Sequence, residues 1–164
     1  CDGTHVDVGF EGTETASFEP ILSGAEEYRG ANITLKDNEN YCAFARFCDQ
    51  GKRVWNLALS NDPKDNELAI KESYQCPAGR LIIFDDKGNK LEPDHPMSIG
   101  VLEDGGLRIS GPLWIKGGIR VESEDGRSYE VMASQTLCRC GHSYNKPFCD
   151  GRHASAKFKA NTPK

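Results

Sequence analysis

Nowhere does this chain of 164 residues stay apolar for the roughly 20 positions that a membrane-spanning helix requires, so no membrane partner is expected. Concentrated positive charge is also lacking. Lys and Arg number 20 against 25 Asp and Glu, a formal net charge of -5, and no basic block breaks that balance. Nucleic acids and anionic membranes are both held by dense positive surface, so no nucleic-acid partner is expected either. There is no phosphate loop, no dinucleotide fingerprint and no Ser-His-Asp order, hence no case for a substrate pocket, and the expectation is that the protein is not an enzyme. An initiator Met and a signal-like start are lacking as well; the true beginning is expected upstream of Cys1, which leaves targeting unreadable.

What the chain does have is cysteine. The seven cysteines are an odd number at short spacings. That favours metal-ligated thiolates in a reducing, cytoplasmic setting over a secreted disulfide scaffold.

The length allows one or two small domains, and the patterning predicts an α+β, β-dominated fold. The polar stretch 11–30 reads as irregular wrapping. Ile33 and Leu35 alternate as in a short strand, and VWNL at 54–57 reads as another. NDPKDNELAIKESYQ at 61–75 predicts a short helix capped by Asn61, Asp62 or Asp65. It should stop before Cys76-Pro77, because proline disfavours helix in the residue before it. LIIF, DDKGN and KLEP read as strand, turn and strand. From Gly105 onward LRIS, PLWIK, IRVES and YEVMA continue the β pattern, punctuated by Gly105-Gly106, Gly111-Pro112 and Gly117-Gly118. Trp55 and Trp114 lie in strand-like runs and read as core or interface anchors.

The strongest chemical signal is CRCGHSYNKPFCDGRH at 138–153. Two cysteines at i and i+2 of an extended strand project to one side. A Cys and a His at i and i+4 share one face of a helical turn. Cys138, Cys140, Cys149 and His153 can therefore be brought together by a strand, a turn and a helix start. Asp150 suits the helix start, and Gly151 leaves room for a bulky group. The ligand set alone permits a Cys3His zinc site, which would make the protein a structural interaction module. His142 within the loop reads as solvent-facing, and His95 as a surface turn residue.

The pattern resembles the CDGSH iron–sulfur family. Cys138, Cys140, Ser143, Pro147, Cys149, Asp150, Gly151 and His153 all match its motif, and Arg152 departs from the usual Ser or Thr and adds a positive charge beside the site. The resemblance implies a [2Fe–2S] cluster, with Cys138 and Cys140 on one iron and Cys149 and His153 on the other. It implies one-electron transfer or redox sensing with a redox partner protein. An alternative is delivery of the cluster to an apo-acceptor protein.

The decapeptide CDGRHASAKF at 149–158 has a counterpart in CDGTHVDVGF at 1–10. Cys1 and His5, with the family-typical Thr4, resemble half of a first, incomplete CDGSH site. Two such units in one chain are expected to pair with each other, or the protein to form a homodimer. Three regions follow: residues 1–12 as the remnant of a first CDGSH domain, 31–95 as a divergent ferredoxin-like segment, and 96–164 as the CDGSH domain with its preceding strands.

Cys42, Cys48 and Cys76-Pro77 carry the middle reading. They resemble single-cluster ferredoxins of [3Fe–4S] or divergent [4Fe–4S] type, with Ala45 where a Cys-x2-Cys-x2-Cys run has its middle ligand. The three are expected to lie close together with Ala45 beside the empty corner. The alternative is three buried structural cysteines, since Cys is often buried without any metal.

Overall fold

The computed structural model describes residues 3–7, 9–104 and 109–160. Four strands form the first sheet in consecutive antiparallel order: β1 (Glu26–Arg29), β2 (Ile33–Asp37), β3 (Leu81–Asp85) and β4 (Lys90–Leu91). In β2 the side chains of Ile33, Leu35 and Asp37 are buried while Thr34 and Lys36 are half-buried, the period of two that a strand over a core requires. Leu35 pairs with Ile83 at the centre of this sheet, and both are fully buried.

Between β2 and β3 the chain makes a cysteine-bearing loop and two helices. VWNL is helix α2 (Val54–Ala58), not the expected strand. Val54, Leu57 and Ala58 are its buried residues, the i, i+3, i+4 stripe of a helix facing a core. Helix α3 (Pro63–Tyr74) starts at Asp62, whose carboxylate accepts the Lys64 N–H, and has Pro63 at its first position. It ends before Cys76-Pro77. The stretch 11–30, read as irregular, contains a 3-10 turn (Ile21–Gly24) as well as β1. The Glu130 carboxylate accepts the Ile21 N–H at 2.6 Å, and the Asn38 amide donates to the Ile21 carbonyl at 2.8 Å, so this stretch is tied down by partners distant in sequence.

The second sheet has the order β5 (Ser98–Asp104), β6 (Ile109–Lys116), β7 (Ser134–Leu137), again antiparallel. IRVES and YEVMA do not join it as strands. They flank a turn closed by a single bridge, Glu122 with Ser128. Instead of joining a ladder, Tyr129 packs between two rings, stacked on Phe18 at 4.3 Å and edge-on to Phe148 at 5.0 Å.

The two sheets meet at Gly79. Its φ is +63°, and a Cβ there would strike the Ser134 carbonyl oxygen. Beside it the Ser134 hydroxyl donates to the Pro77 carbonyl at 2.8 Å and accepts the Trp114 indole N–H at 2.7 Å. Trp114 is thus an anchor on a strand, and Trp55 an anchor on a helix. Gly79→Ala should destabilise the protein by about 2 kcal/mol or more, from left-handed strain plus displacement of β7. A urea-unfolding midpoint equal to that of the unsubstituted chain would show that the junction yields freely. One buried cluster runs through this junction, joining Leu35, Leu57 and Ile83 to Cys76 and Cys149.

Candidate metal centres

Beyond β7 the chain turns back on itself. The Cys149 N–H donates to the Thr136 carbonyl at 2.9 Å and the Cys138 N–H to the Pro147 carbonyl at 2.8 Å, around a bridge between Leu137 and Phe148. Cys138 and Cys149 therefore sit on adjacent antiparallel segments. The connecting loop is locked by buried Ser143, whose hydroxyl donates to the Phe148 carbonyl at 2.6 Å and accepts the Asn145 N–H at 3.0 Å. Asp150 holds both ends, accepting N–H groups from Tyr144 at 2.9 Å and Arg152 at 3.2 Å. Helix α4 (Arg152–Ser155) then carries His153, which is buried. Gly151 precedes it at φ +84°.

The four ligand candidates form two pairs. Cys138 Sγ lies 3.8 Å from Cys140 Sγ, and Cys149 Sγ lies 3.4 Å from His153 Nδ1. Two ligands on one tetrahedral metal, at about 2.3 Å for sulfur and about 2.0 Å for nitrogen, are separated by roughly 3.5–3.8 Å. Each pair thus has the span of one metal ion. Among the described residues, no three His, Cys, Asp or Glu side chains gather around one point as the shell of a single ion does. The donor set fits a group with two metals better than one with a single ion. Backbone donors are in place for anionic sulfur: the His142 N–H points to Cys140 Sγ and the Gly151 N–H to Cys149 Sγ, each at 3.4 Å. His142 itself is exposed.

The thiols of the metal-free site are unequal. The Cys140 thiol donates to Cys138 and, helped by the N–H groups of Ser143 and Gly141, brings Cys138 down to about 5 against the opposing effect of burial. The same shared proton, with burial, pushes Cys140 up. Burial pushes Cys149 up to about 12. Metal binding must therefore displace protons from Cys140 and Cys149, since only thiolates ligate. Reconstitution with iron and sulfide should release protons and become more complete as pH rises from about 6 to about 9. A pH-stat measurement checks this; uptake with no proton release would mean that other groups bind the metal.

Arg152 does not leave its charge open to the site. Its guanidinium lies over the Tyr144 ring at 3.5 Å and donates to Asp150 at 3.0 Å.

Cys42, Cys48 and Cys76 line one small solvent-open pocket together with Phe44, Phe47 and Arg80, and Ala45 forms part of its wall. Burial pushes the Cys76 thiol up, opposed by the N–H groups of Arg80 and Ala78. Burial also pushes Cys48 up to about 11, with the Cys76 charge adding to the effect. Arg80 is buried, its Nη1 makes no hydrogen bond, and it pairs with the buried carboxylate of Asp37 at 3.3 Å. Three sulfurs beside a guanidinium suit an anionic, sulfur-rich group. Three thiolates are the protein ligands that a [3Fe–4S] cluster needs, or three of the four for [4Fe–4S].

Arg80 and Asp37 were not evident as site residues from the sequence. One signal was available: Asp37 falls in the inward register of Ile33 and Leu35, where a carboxylate requires a buried partner. His95, read as a surface residue, is half-buried, with its Nε2 enclosed and without a hydrogen bond.

Cys1 lies outside the described residues. His5 is exposed on helix α1 (Thr4–Asp7). The repeated decapeptide keeps its backbone shape from Gly3 onward. Gly3 has φ +82° and Gly9 φ +61°, against +84° at Gly151 and +50° at Lys157. The N–H of Phe10 donates to the His5 carbonyl at 2.9 Å, as that of Phe158 does to His153 at 3.0 Å. Residues beyond it dock on the 141–146 loop: Thr15 and Ala16 N–H groups share the Lys146 carbonyl at 2.8 Å.

Two family models match the chain. The iron-binding zinc finger of CDGSH type matches residues 110–154, and the divergent 4Fe-4S mono-cluster domain matches residues 28–86. Neither a curated protein nor a solved structure matches. The first match spans the paired ligands and the second spans all three cysteines of the pocket, so the chain carries a CDGSH-type iron-binding segment behind a divergent 4Fe-4S segment, and both support an iron–sulfur protein.

Proposed function

We propose that Cys138, Cys140, Cys149 and His153 hold a [2Fe–2S] cluster, two ligands to each iron, and that the protein serves in one-electron transfer or redox sensing, as a carrier rather than a catalyst. The observation that carries this reading is the division of the ligands into two pairs with spans of 3.8 and 3.4 Å. Cys42, Cys48 and Cys76 are proposed as ligands of a second cluster, of [3Fe–4S] or [4Fe–4S] type. The repeated backbone geometry supports Cys1 and His5 as a further Cys-x3-His ligand pair.

The test is metal and acid-labile sulfide analysis of freshly isolated protein, with visible and EPR spectra. Iron with matching sulfide and a red-brown colour is expected; stoichiometric zinc without sulfide sinks the proposal. A second reading, delivery of the cluster to an apo-acceptor protein, is favoured by an open groove beside Cys140 lined by Phe10, His142, Tyr144 and Arg152. It predicts that an apo-ferredoxin mixed with the loaded protein gains the cluster's absorption, whereas an electron carrier leaves the acceptor colourless.

A further inference from the structure

The two centres are neighbours through one loop. The Gly151 turn that positions His153 faces the loop that carries Cys42. A Cβ added at Gly151 would lie 2.8 Å from the Cys42 carbonyl oxygen and 3.2 Å from Phe44 Cβ. The Asn145 amide of the CDGSH loop donates to the Asn40 carbonyl at 3.2 Å, and the Tyr41 ring lies 5.2 Å from that of Phe148. Cys149 of one centre, Cys76 of the other and Ala43 of the loop beside Cys42 belong to the same buried cluster.

The loop is also held in an unfavourable shape. Phe44 has φ +55° and Arg46 φ +60°, a region that bulky residues enter only when their surroundings over-determine the backbone. Phe44 and Phe47 face solvent, and on its protein side the loop lies against both centres. On one side it supplies Cys42 and Cys48 to the pocket with Cys76. On the other, Cys42 and Phe44 form the wall against which the Gly151 turn rests.

We propose that the loop from Cys42 to Cys48 is a wall shared by the two metal centres, so that filling either centre strengthens the other's hold on its metal. This rests on both centres binding iron as proposed above. Metal bound at the pocket fixes the loop, so the CDGSH turn closes against a wall already ordered and loses less conformational freedom in doing so. By thermodynamic linkage the gain is the same in the reverse direction.

The experiment uses the whole chain, reconstituted anaerobically, and follows each centre's own EPR signal during challenge with an excess of ferrous chelator. Cys48→Ser removes a pocket ligand and touches none of the CDGSH ligands. It should speed loss of metal from the CDGSH centre by about fivefold or more, the lower end of typical coupling. His153→Ala should likewise speed loss from the pocket centre. Phe44→Gly keeps every ligand and removes the Cβ that faces the Gly151 turn, so it should speed loss from both. If the CDGSH centre of folded Cys48→Ser and Phe44→Gly chains loses metal within about twofold of the unsubstituted rate, below typical coupling, the centres are independent and the proposal is overturned. Should Cys48→Ser fail to fold by circular dichroism, Phe44→Gly decides alone. Failure of the underlying reading looks different: the unsubstituted chain then contains no iron and sulfide at one or both centres.

Discussion

Arg80→Met should cost the metal-free protein about 3 kcal/mol or more at pH 7, the penalty for stranding one charge of a buried pair. Asp37 and Arg80 are both buried, with side-chain exposures of 7% and 5%. Among the described residues, the carboxylate's other polar support is the Trp55 indole N–H, at 2.9 Å. Burial already holds the Asp37 carboxyl above its ordinary value, against the pull of Arg80 and Trp55. A folded state that binds this proton more tightly than the unfolded chain loses stability as pH rises through the window between the two values. Removing Arg80 lifts the folded value further and widens that window upward. The penalty should therefore shrink on acidification, as Asp37 takes up a proton, and should largely disappear when Asp37→Asn is added. Urea unfolding at several pH values measures all of this. A loss below about 1 kcal/mol at pH 7 that is also independent of pH would show that the pair is not buried as described. Because Arg80 also lines the cysteine pocket, the same variant should retain less iron there.

His153→Cys should lower the reduction potential of the CDGSH centre by on the order of 100 mV, since thiolate places a negative charge where imidazole is neutral, the difference that separates His-ligated from all-Cys two-iron centres. The geometry favours the replacement. His153 is buried beside Cys149 on a helical turn fixed by Gly151 and Asp150, so a thiol at 153 starts from the correct backbone position. A redox titration followed by visible absorption reads the shift. An unchanged potential with full iron content would remove His153 from the ligand set.

Much of the CDGSH centre was legible because its ligands fall within sixteen consecutive residues, and short-range geometry alone pairs them two by two. Helix α3 was legible for a similar reason, with Asp62 and Pro63 marking its start and Cys76-Pro77 its limit. The pocket was legible only in its cysteines. Asp37 and Arg80 are separated by the whole excursion through α2 and α3, and no local pattern links them. VWNL was misread because so short a window does not separate a period of two from one of 3.6; only Ala58, one residue further on, completes the helical stripe. IRVES and YEVMA alternate as strands do, but Tyr129 spends its burial on the rings of Phe18 and Phe148. Strand β5 escaped notice because Ile99 and Val101 point outward and are exposed, which reverses the usual inward signal.

The decapeptide repeat carries a lesson about where its shape is encoded. From Gly3 to Phe10 and from Gly151 to Phe158 the backbone makes the same three hydrogen bonds, yet His5 is exposed and His153 is buried. Two copies that agree in such different surroundings take little of their form from those surroundings. The instructions are local: a glycine that turns left-handed, one helical turn, and a closing amide from the phenylalanine. Such a unit behaves as a portable cassette that presents an imidazole at a set angle. Grafted onto the end of an unrelated antiparallel hairpin, it would bring its ligand geometry with it, and only the Cys-x-Cys strand would remain to be supplied by the host.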